Sequence, residues 1–442
     1  MRKLTPHFIL KFFTFIFLLN SQNIFSQVYQ WRVIETGPTA SSTRFEDVYF
    51  INNNTGWIID IDGLVYKTNN GGKNWSQIYS QAFAGYRSIA FFDSSYGVLG
   101  TLDSDSTLFT TTNGGLNWTL NTNITGTMPH GICGISIAGP NLVFASGRYD
   151  GFATVIKSTN RGVTWTSLNI DNKATSLIDC YFQNENTGFV CGGLGGGFSS
   201  RRTVILRTTN SGLTWDSVYL STTSGEWGWK FSFINSTTGY CSVERSGTAT
   251  YYAKTTNGGA NWFRQNYNFF PVVQGICFLN ENTGWVGGGH EFPPPYSNTF
   301  GTTNGGVTWV GVPNLLNVNV FQLLSDTLGF AVGNRVYRYG KDSIVNIENI
   351  SNIIPTKFEL KQNYPNPFNP STNFEFRIAD FGFVKLKIFN NLGKEVERLV
   401  NQNLNAGTYK VQWDASEYSS GVYYYKLETE KFSETKKLLL IK

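Results

Sequence analysis

Thr302-Thr303-Asn304-Gly305-Gly306-Val307-Thr308-Trp309 is the cleanest copy of a phrase that recurs through the chain. Earlier copies end at Trp75 (TNNGGKNW), Trp118 (TTNGGLNW), Trp165 (STNRGVTW), Trp215 (TTNSGLTW) and Trp262 (TTNGGANW). Successive tryptophans are 43, 47, 50, 47 and 47 residues apart. A period in the forties marks a repeat architecture, in which each unit buries its apolar face only by stacking on its neighbours.

The residue types explain the phrase. Glycine supplies positive φ without steric cost. The Asn side chain accepts hydrogen bonds from backbone N–H groups about two residues on and closes the turn. The Trp opens the next strand as a large buried anchor. Upstream of each copy lies an alternating strand (Phe45, Val48, Phe50 in the first unit), then an Asn-rich turn ending in Thr-Gly-aromatic (Thr55-Gly56-Trp57). That turn recurs at Thr187-Gly188-Phe189, Thr238-Gly239-Tyr240 and Thr283-Gly284-Trp285, and in weaker form at Tyr96-Gly97 and Leu328-Gly329-Phe330. Four short antiparallel strands per ~45 residues describe the blade of a β-propeller.

Six phrases predict six blades. A seventh unit, from Val318 to Tyr339, has three strands and no phrase. Its missing strand is expected at the other end, where Gln30-Trp31-Arg32-Val33-Ile34 reads like the strands that follow the phrase. Closing the ring in this way removes an exposed sheet edge. The phrase closely resembles the Asp box of bacterial-neuraminidase-repeat propellers, with Asn in place of Asp as in the photosystem II stability/assembly factor-like branch. The resemblance implies an all-β, seven-bladed propeller with a protein-binding scaffold role. The box is a structural staple wherever it occurs, so it assigns no activity.

Residues 1–26 read as a signal peptide, with Arg2 and Lys3 before an apolar run from Phe8 to Leu19 and a cut expected before Gln27. The apolar run is shorter than the ~20 residues of a membrane span, and no transmembrane segment is expected after cleavage. The propeller is assigned to 27–340 and a linker to 341–356. Net charge is only +5 over 442 residues, without a basic block, which excludes nucleic acid as a partner.

Residues 357–442 are of another kind. Asn363-Tyr364-Pro365-Asn366-Pro367-Phe368-Asn369-Pro370-Ser371-Thr372 must be a fixed turn. Alternating strands follow at Asn373 to Ile378, Val384 to Asn390, Gly407 to Trp413 and Val422 to Leu427. With the Asn391-Leu392-Gly393 turn, Leu404-Asn405-Ala406-Gly407-Thr408-Tyr409 and Ser420-Gly421-Val422-Tyr423, this block resembles the type A C-terminal sorting domain of the type IX secretion system. That resemblance implies a small Ig-like β-sandwich, export across both membranes to the cell surface or beyond, and recognition by the translocon. The sorting signal is assigned to the last strand, Lys436, Lys437, Leu438, Leu439, Leu440, Ile441 and Lys442.

Five cysteines (Cys133, Cys180, Cys191, Cys241, Cys277) fall in expected strands without a C-x-x-C pair, so zinc is not expected. They read as buried small hydrophobes, although Cys180 and Cys191 could bridge neighbouring strands. The mature chain keeps His130 and His290, and its Asp-rich hairpins lack the twelfth-position Glu of a calcium loop. No cofactor, metal or catalytic residue is assigned. Sialidase-type and glycosidase-type propellers are the alternative: the first needs an arginine cluster and a Tyr–Glu pair, the second paired acids. The expected function is binding, of an extracellular protein or glycan, by a monomer. The site is placed on the face opposite the phrases, at Tyr86, Arg87, Arg148, Tyr149, Arg201, Arg202, Trp227, Trp229, His290, Glu291 and Tyr296. The Phe269-Phe270-Pro271 connection belongs to the same face. Aromatics with arginines on loops suit sugar stacking or peptide docking.

Overall fold

The computed structural model describes residues 29–442 except 35, 42–43, 83, 149, 171, 246–250, 268–272, 289–297, 342–347, 352–353 and 417. The expected signal peptide, Tyr149, Phe269-Phe270-Pro271, His290, Glu291 and Tyr296 lie outside the described residues. The described chain divides into two compact units, Tyr29–Gly340 and Lys341–Lys442.

The first unit is a seven-bladed β-propeller. Blade one runs Phe45–Phe50, Gly56–Asp60, Leu64–Thr68 and Ser76–Ser80 from the axis outward. The innermost strands of blades two to six are Tyr86–Phe91, Gly134–Ile137, Ser176–Phe182, Glu226–Phe233 and Gly275–Phe278. Blade seven is Val320–Leu323, Gly329–Val332 and Val336–Lys341, and its outermost strand is Tyr29–Val33 from the other end of the chain. Trp31 fastens this closure: it is buried edge-on against Trp285 and also meets Phe321 and Tyr339. Blade three carries an unexpected fifth strand, Ile124–Thr125, parallel to Trp165–Leu168.

All six phrases form one hydrogen-bonded staple, which differs in detail from the expectation. The Asn side chain reaches four residues on, not two: Asn304 Oδ1 accepts from the Thr308 N–H at 2.9 Å, and Asn70 Oδ1 from the Asn74 N–H at 3.0 Å. The leading hydroxyl, which the sequence reading passed over, does the rest. Thr302 Oγ1 donates to Asn304 Oδ1 and accepts from the Gly306 N–H. Each staple is tied to the turn between the first two strands of its own blade, as Gly305 N–H donates to the Asn282 carbonyl and Gly71 N–H to that of Asn54.

The Thr-Gly-aromatic motif also has a different cause. Its glycine opens the second strand rather than making a turn, and needs no positive φ. A β-carbon on Gly56 would lie 2.5 Å from the Phe50 ring, and one on Gly188 would lie 2.3 Å from that of Phe182. The glycine leaves a flat seat for a ring of the innermost strand. That ring then stacks on an aromatic of the preceding blade, Trp57 on Phe91 at 3.6 Å and Phe330 on Phe50 at 3.7 Å. The phrase Trp packs edge-on against the same ring, as in Phe50–Trp75 and Phe278–Trp309. Offset-stacked and edge-on pairs suit the ring quadrupole, and such aromatic triads form most interblade seams, whereas the seam between blades two and three packs Trp165 among aliphatic side chains such as Val98 and Ile137.

Polar side chains stitch the innermost strands together. Asp47 accepts from the Ile89 N–H (2.9 Å), Ser136 from Phe182 (3.0 Å), Asp179 from Phe231 (3.0 Å) and Ser232 from Phe278 (3.0 Å). Gln322 closes the ring by accepting from the Phe50 N–H and donating to its carbonyl. Lys230 lies beside Asp179, 3.1 Å away, and this carboxylate and that of Asp47 hold its ammonium above the ordinary lysine range despite burial.

The second unit is a β-sandwich of two four-stranded sheets. Burial alternates along its strands, so that Phe374, Phe376 and Ile378 face inward with Val384, Leu386, Ile388 and Trp413. The linker assigned to 341–356 is corrected in part: Glu348–Ser351 is a strand of the sandwich, paired with Gly407–Asp414. The Pro-rich turn clamps the last strand, Ser433–Leu440. Phe368 N–H donates to the Leu439 carbonyl, Ile441 N–H to that of Phe368, and Asn366 Oδ1 accepts from the Leu439 N–H.

Candidate functional site

The innermost strands surround a central cavity of about 500 Å³, lined by Asp47, Ile89, Ser136, Asp179, Lys230 and Gln322 among others. The lining runs along the later parts of the strands, toward the phrase face. Most of its polar groups are already occupied by the interblade hydrogen bonds.

The other end of the channel, where the innermost strands start, is crossed by a buried polar network. Glu46 is bracketed by two guanidiniums, Arg44 at 3.1 Å and Arg87 in direct contact. Arg44 also donates to Gln274 Oε1. Gln274 Nε2 donates to Glu244 Oε1 at 2.7 Å, and the Trp227 indole N–H donates to Glu244 Oε2 at 2.9 Å. The Arg87 guanidinium lies over the Trp229 ring, 5.1 Å from its centre. These groups come from blades one, two, five and six. Burial raises the Glu244 carboxyl above its ordinary range, partly countered by Gln274, Trp227 and the two arginines.

Four of the expected ligand residues therefore have other roles. Tyr86 is a core side chain of the seam between blades one and two. Arg87, Trp227 and Trp229 are brought together, but inside the network, at 7%, 9% and 6% exposure. Their alternation on extended strands turns them toward the axis, where wall packing and ion pairing cover them. The sequence reading missed Arg44, Glu46, Glu244 and Gln274. For Arg44 and Glu46 the available signal was charge at the start of an innermost strand; Glu244, late on the second strand of blade five, and the uncharged Gln274 gave no such signal.

The outer part of this face is different. On the blade-three hairpin, Phe152 is 71% exposed and stacks on His130 at 4.4 Å. Beside it, Arg148 donates to the Leu102 and His130 carbonyls and to Asp150. On the blade-four hairpin, Phe198 is 47% exposed, with the buried Arg201 guanidinium 4.3 Å from its ring centre and Trp227 edge-on behind it. Arg202 is half-buried at the start of Arg202–Thr208. Both phenylalanines lie on hairpins that the sequence assigns to this face, the stretches 148–152 and 193–202, although neither is among the ligand residues singled out there.

A Tyr–Glu pair of the kind sialidases require does occur: the Tyr251 hydroxyl donates to Glu226, with Arg264 over the tyrosine ring. Both side chains are about 1% exposed. Burial, then the Glu226 contact, raises the Tyr251 hydroxyl far above its ordinary range, the opposite of what a nucleophilic phenolate needs. Among the described residues, no three His, Cys, Asp or Glu side chains are grouped so as to hold a metal ion.

With this geometry in hand, comparison with known proteins places the two units. Residues 362–442 match the family described as the secretion system C-terminal sorting domain. This unit is a type IX sorting domain. It marks the protein for export to the cell surface or the extracellular space. No curated protein matches the chain. Among solved structures, YCF48 bound to D1 peptide is similar at 16% identity and a TM-score of 0.52, covering 71% of this chain and 97% of that one. YCF48 from Cyanidioschyzon merolae is similar at 16% identity and a TM-score of 0.51, covering 70% and 98%. PorZ of Porphyromonas gingivalis, described as an essential bacterial surface component of the type-IX secretion system, gives 13% identity and a TM-score of 0.50. That match covers 91% of this chain and 60% of PorZ. At these identities the likeness is one of fold.

Proposed function

We propose that the propeller is a non-catalytic binding module that presents the face opposite the phrases to an extracellular protein or glycan. The observation that carries this reading is the pair of exposed phenylalanines on neighbouring hairpins, Phe152 stacked on His130 and Phe198 on Arg201. Solvent-exposed rings held by a cationic or imidazole partner are ready surfaces for stacking on a sugar or an aromatic side chain. The closed channel mouth supports the same reading, because its carboxylates are already engaged, the buried Glu46 by Arg44 and Arg87 and the half-buried Glu244 by Gln274 and Trp227. That a propeller of this fold has been solved with a bound peptide favours a protein ligand. We infer also that residues 1–26 direct initial secretion and are removed, that 27–340 act as a monomer, and that the C-terminal strand is read by the type IX machinery.

The test is a glycan array and a peptide display screen with the full-length exported protein, repeated with Phe152→Ala and Phe198→Ala. The expected result is a ligand whose affinity falls at least about tenfold in each variant, the loss of about 1.4 kcal/mol. Hits that both variants bind unchanged would move the site elsewhere. Turnover of fluorogenic glycosides by the wild type would revive the sialidase or glycosidase alternative.

A further inference from the structure

We propose that Cys191 and Cys241 are joined by a disulfide in the exported protein, as a covalent staple between blades four and five. Cys191 lies on the second strand of blade four, Gly188–Leu194, and Cys241 on the second strand of blade five, Gly239–Arg245. Both are thiols in this structure, both are fully buried, and they share one apolar cluster with Ile205 and Ala253. The Cys241 thiol donates to the Ser242 carbonyl at 3.5 Å, and both sulfurs lie against the same residue of blade five, Gly228.

Gly228 marks the same spot independently. A β-carbon built there would lie 2.8 Å from Cys191 Cβ and 3.3 Å from both sulfurs. The glycine needs no positive φ, so space alone explains it: it leaves room for two sulfurs from neighbouring blades. The other cysteines have different surroundings. Cys180 directs its thiol at the Phe144 carbonyl, 3.7 Å away, and the Cys277 thiol sits beside Ser232.

The reaction is thiol–disulfide exchange. Two S–H bonds break and one S–S bond forms. Two electrons and two protons pass to the disulfide of an oxidoreductase, which leaves as a dithiol. Export takes the chain out of the reducing cytoplasm and into oxidising surroundings, where such bonds persist. In the closed interface burial holds Cys191 as the unreactive thiol. The exchange therefore belongs to the stage when blade five docks on blade four, before the seam shuts. The bond would sit directly behind Trp227-Gly228-Trp229 and tie the channel-mouth network to both blades.

Full-length protein collected after export, alkylated in denaturant without reductant, decides the matter. The expected outcome is three alkylated cysteines out of five, a mass deficit of two hydrogens, and one cross-linked peptide pair carrying Cys191 and Cys241. Five alkylated cysteines, or a bond joining any other pair, would overturn the proposal. Cys191→Ala and Cys241→Ala should each show four alkylated cysteines, and reductant should lower the melting temperature of the wild type but of neither variant. A residual disulfide in either variant, or equal sensitivity of all three proteins to reductant, would also overturn it.

Discussion

At the scale of single residues, backbone conformation and ring packing make opposite demands on glycine. Two of the six phrases put a non-glycine where the others have the first glycine, and Arg161 and Ser211 there adopt φ of 62° and 60°. An L-residue in this region costs roughly 1–2 kcal/mol. Arg161 is compensated by Asp93 and by the Phe92 and Tyr96 rings beneath its guanidinium. Ser211 gains a bond from Lys157 to its hydroxyl at 2.7 Å. Ser211→Gly is therefore expected to stabilise the propeller by a net ~0.5–1 kcal/mol, read as a shifted midpoint in denaturant titration. Gly188 is the reverse case, a glycine kept for space under Phe182. Gly188→Ala should cost ~1–3 kcal/mol by overpacking, and no loss in the same titration would mean that the ring seat is loose. Trp309→Ala, which empties one corner of an aromatic triad, should cost ~3–5 kcal/mol.

At the scale of elements, the ring depends on a strand from the far end of the sequence. Tyr29–Val33 gives blade seven its outer edge, and Trp31 is the buried contact that holds it. Losing Trp31 alone should cost ~3–5 kcal/mol. At roughly 2–4 °C per kcal/mol for a large domain, Trp31→Ala should lower the propeller melting temperature by roughly 6–20 °C. Deleting residues 29–33 should do at least as much and expose an edge that templates association. Scanning calorimetry with light scattering checks both, and a stable monomeric deletion would show that the closure is dispensable. The last strand of the sandwich poses a related problem. Leu438 and Leu440 are buried in its core, so a truncation at Glu434 would remove fold and address together. Lys436→Ala, Lys437→Ala and Lys442→Ala combined leave the core intact. If this strand carries the sorting signal, that variant should stay folded yet accumulate inside the cell, as cell fractionation would report. Unchanged export would place the signal elsewhere.

For the whole molecule, the two units should respond oppositely to acid. In the sandwich, hydrogen bonds from Lys426 and then Lys387 hold the Glu428 carboxyl down at about 2. A depressed folded value adds stability that is present above the ordinary glutamate range and is lost as pH falls toward about 2. In the propeller, burial raises the Glu244 carboxyl, so the folded state binds its proton more readily than the unfolded chain. That contribution favours the fold at low pH and is withdrawn as pH rises through the raised value. Glu244→Gln should therefore flatten the pH dependence of the propeller transition above the ordinary glutamate range, and Glu428→Gln that of the sandwich transition below it, down to about 2. Calorimetry at several pH values separates the two, and parallel shifts in both variants would refute the assignment.

Local chemistry was legible in the sequence wherever one residue type answers one local demand. The spaced phrases, with their glycines, asparagine and tryptophan, determined the blade repeat and its turns. The unmatched seventh unit and the strand around Trp31 determined the ring closure, because an unpaired edge leaves backbone groups unsatisfied. The Pro- and Asn-rich turn and the alternating strands beyond it determined a second, strand-rich unit; the sandwich followed only from the family they resemble, and neither revealed that residues 348–351 add a strand to it. What only the tertiary structure decided depends on groups from distant parts of the chain meeting. A strand's alternation says that Arg87, Trp227 and Trp229 share a side, but not whether that side faces solvent or a crowded axis. Seven converging blades bring Glu46, Glu244 and Gln274 to that axis, and the cost of leaving charges unpaired there draws the arginines and tryptophans inward. The same convergence leaves Phe152 and Phe198 exposed and sets Cys191 beside Cys241, since proximity between blades is fixed by packing and not by spacing along the chain.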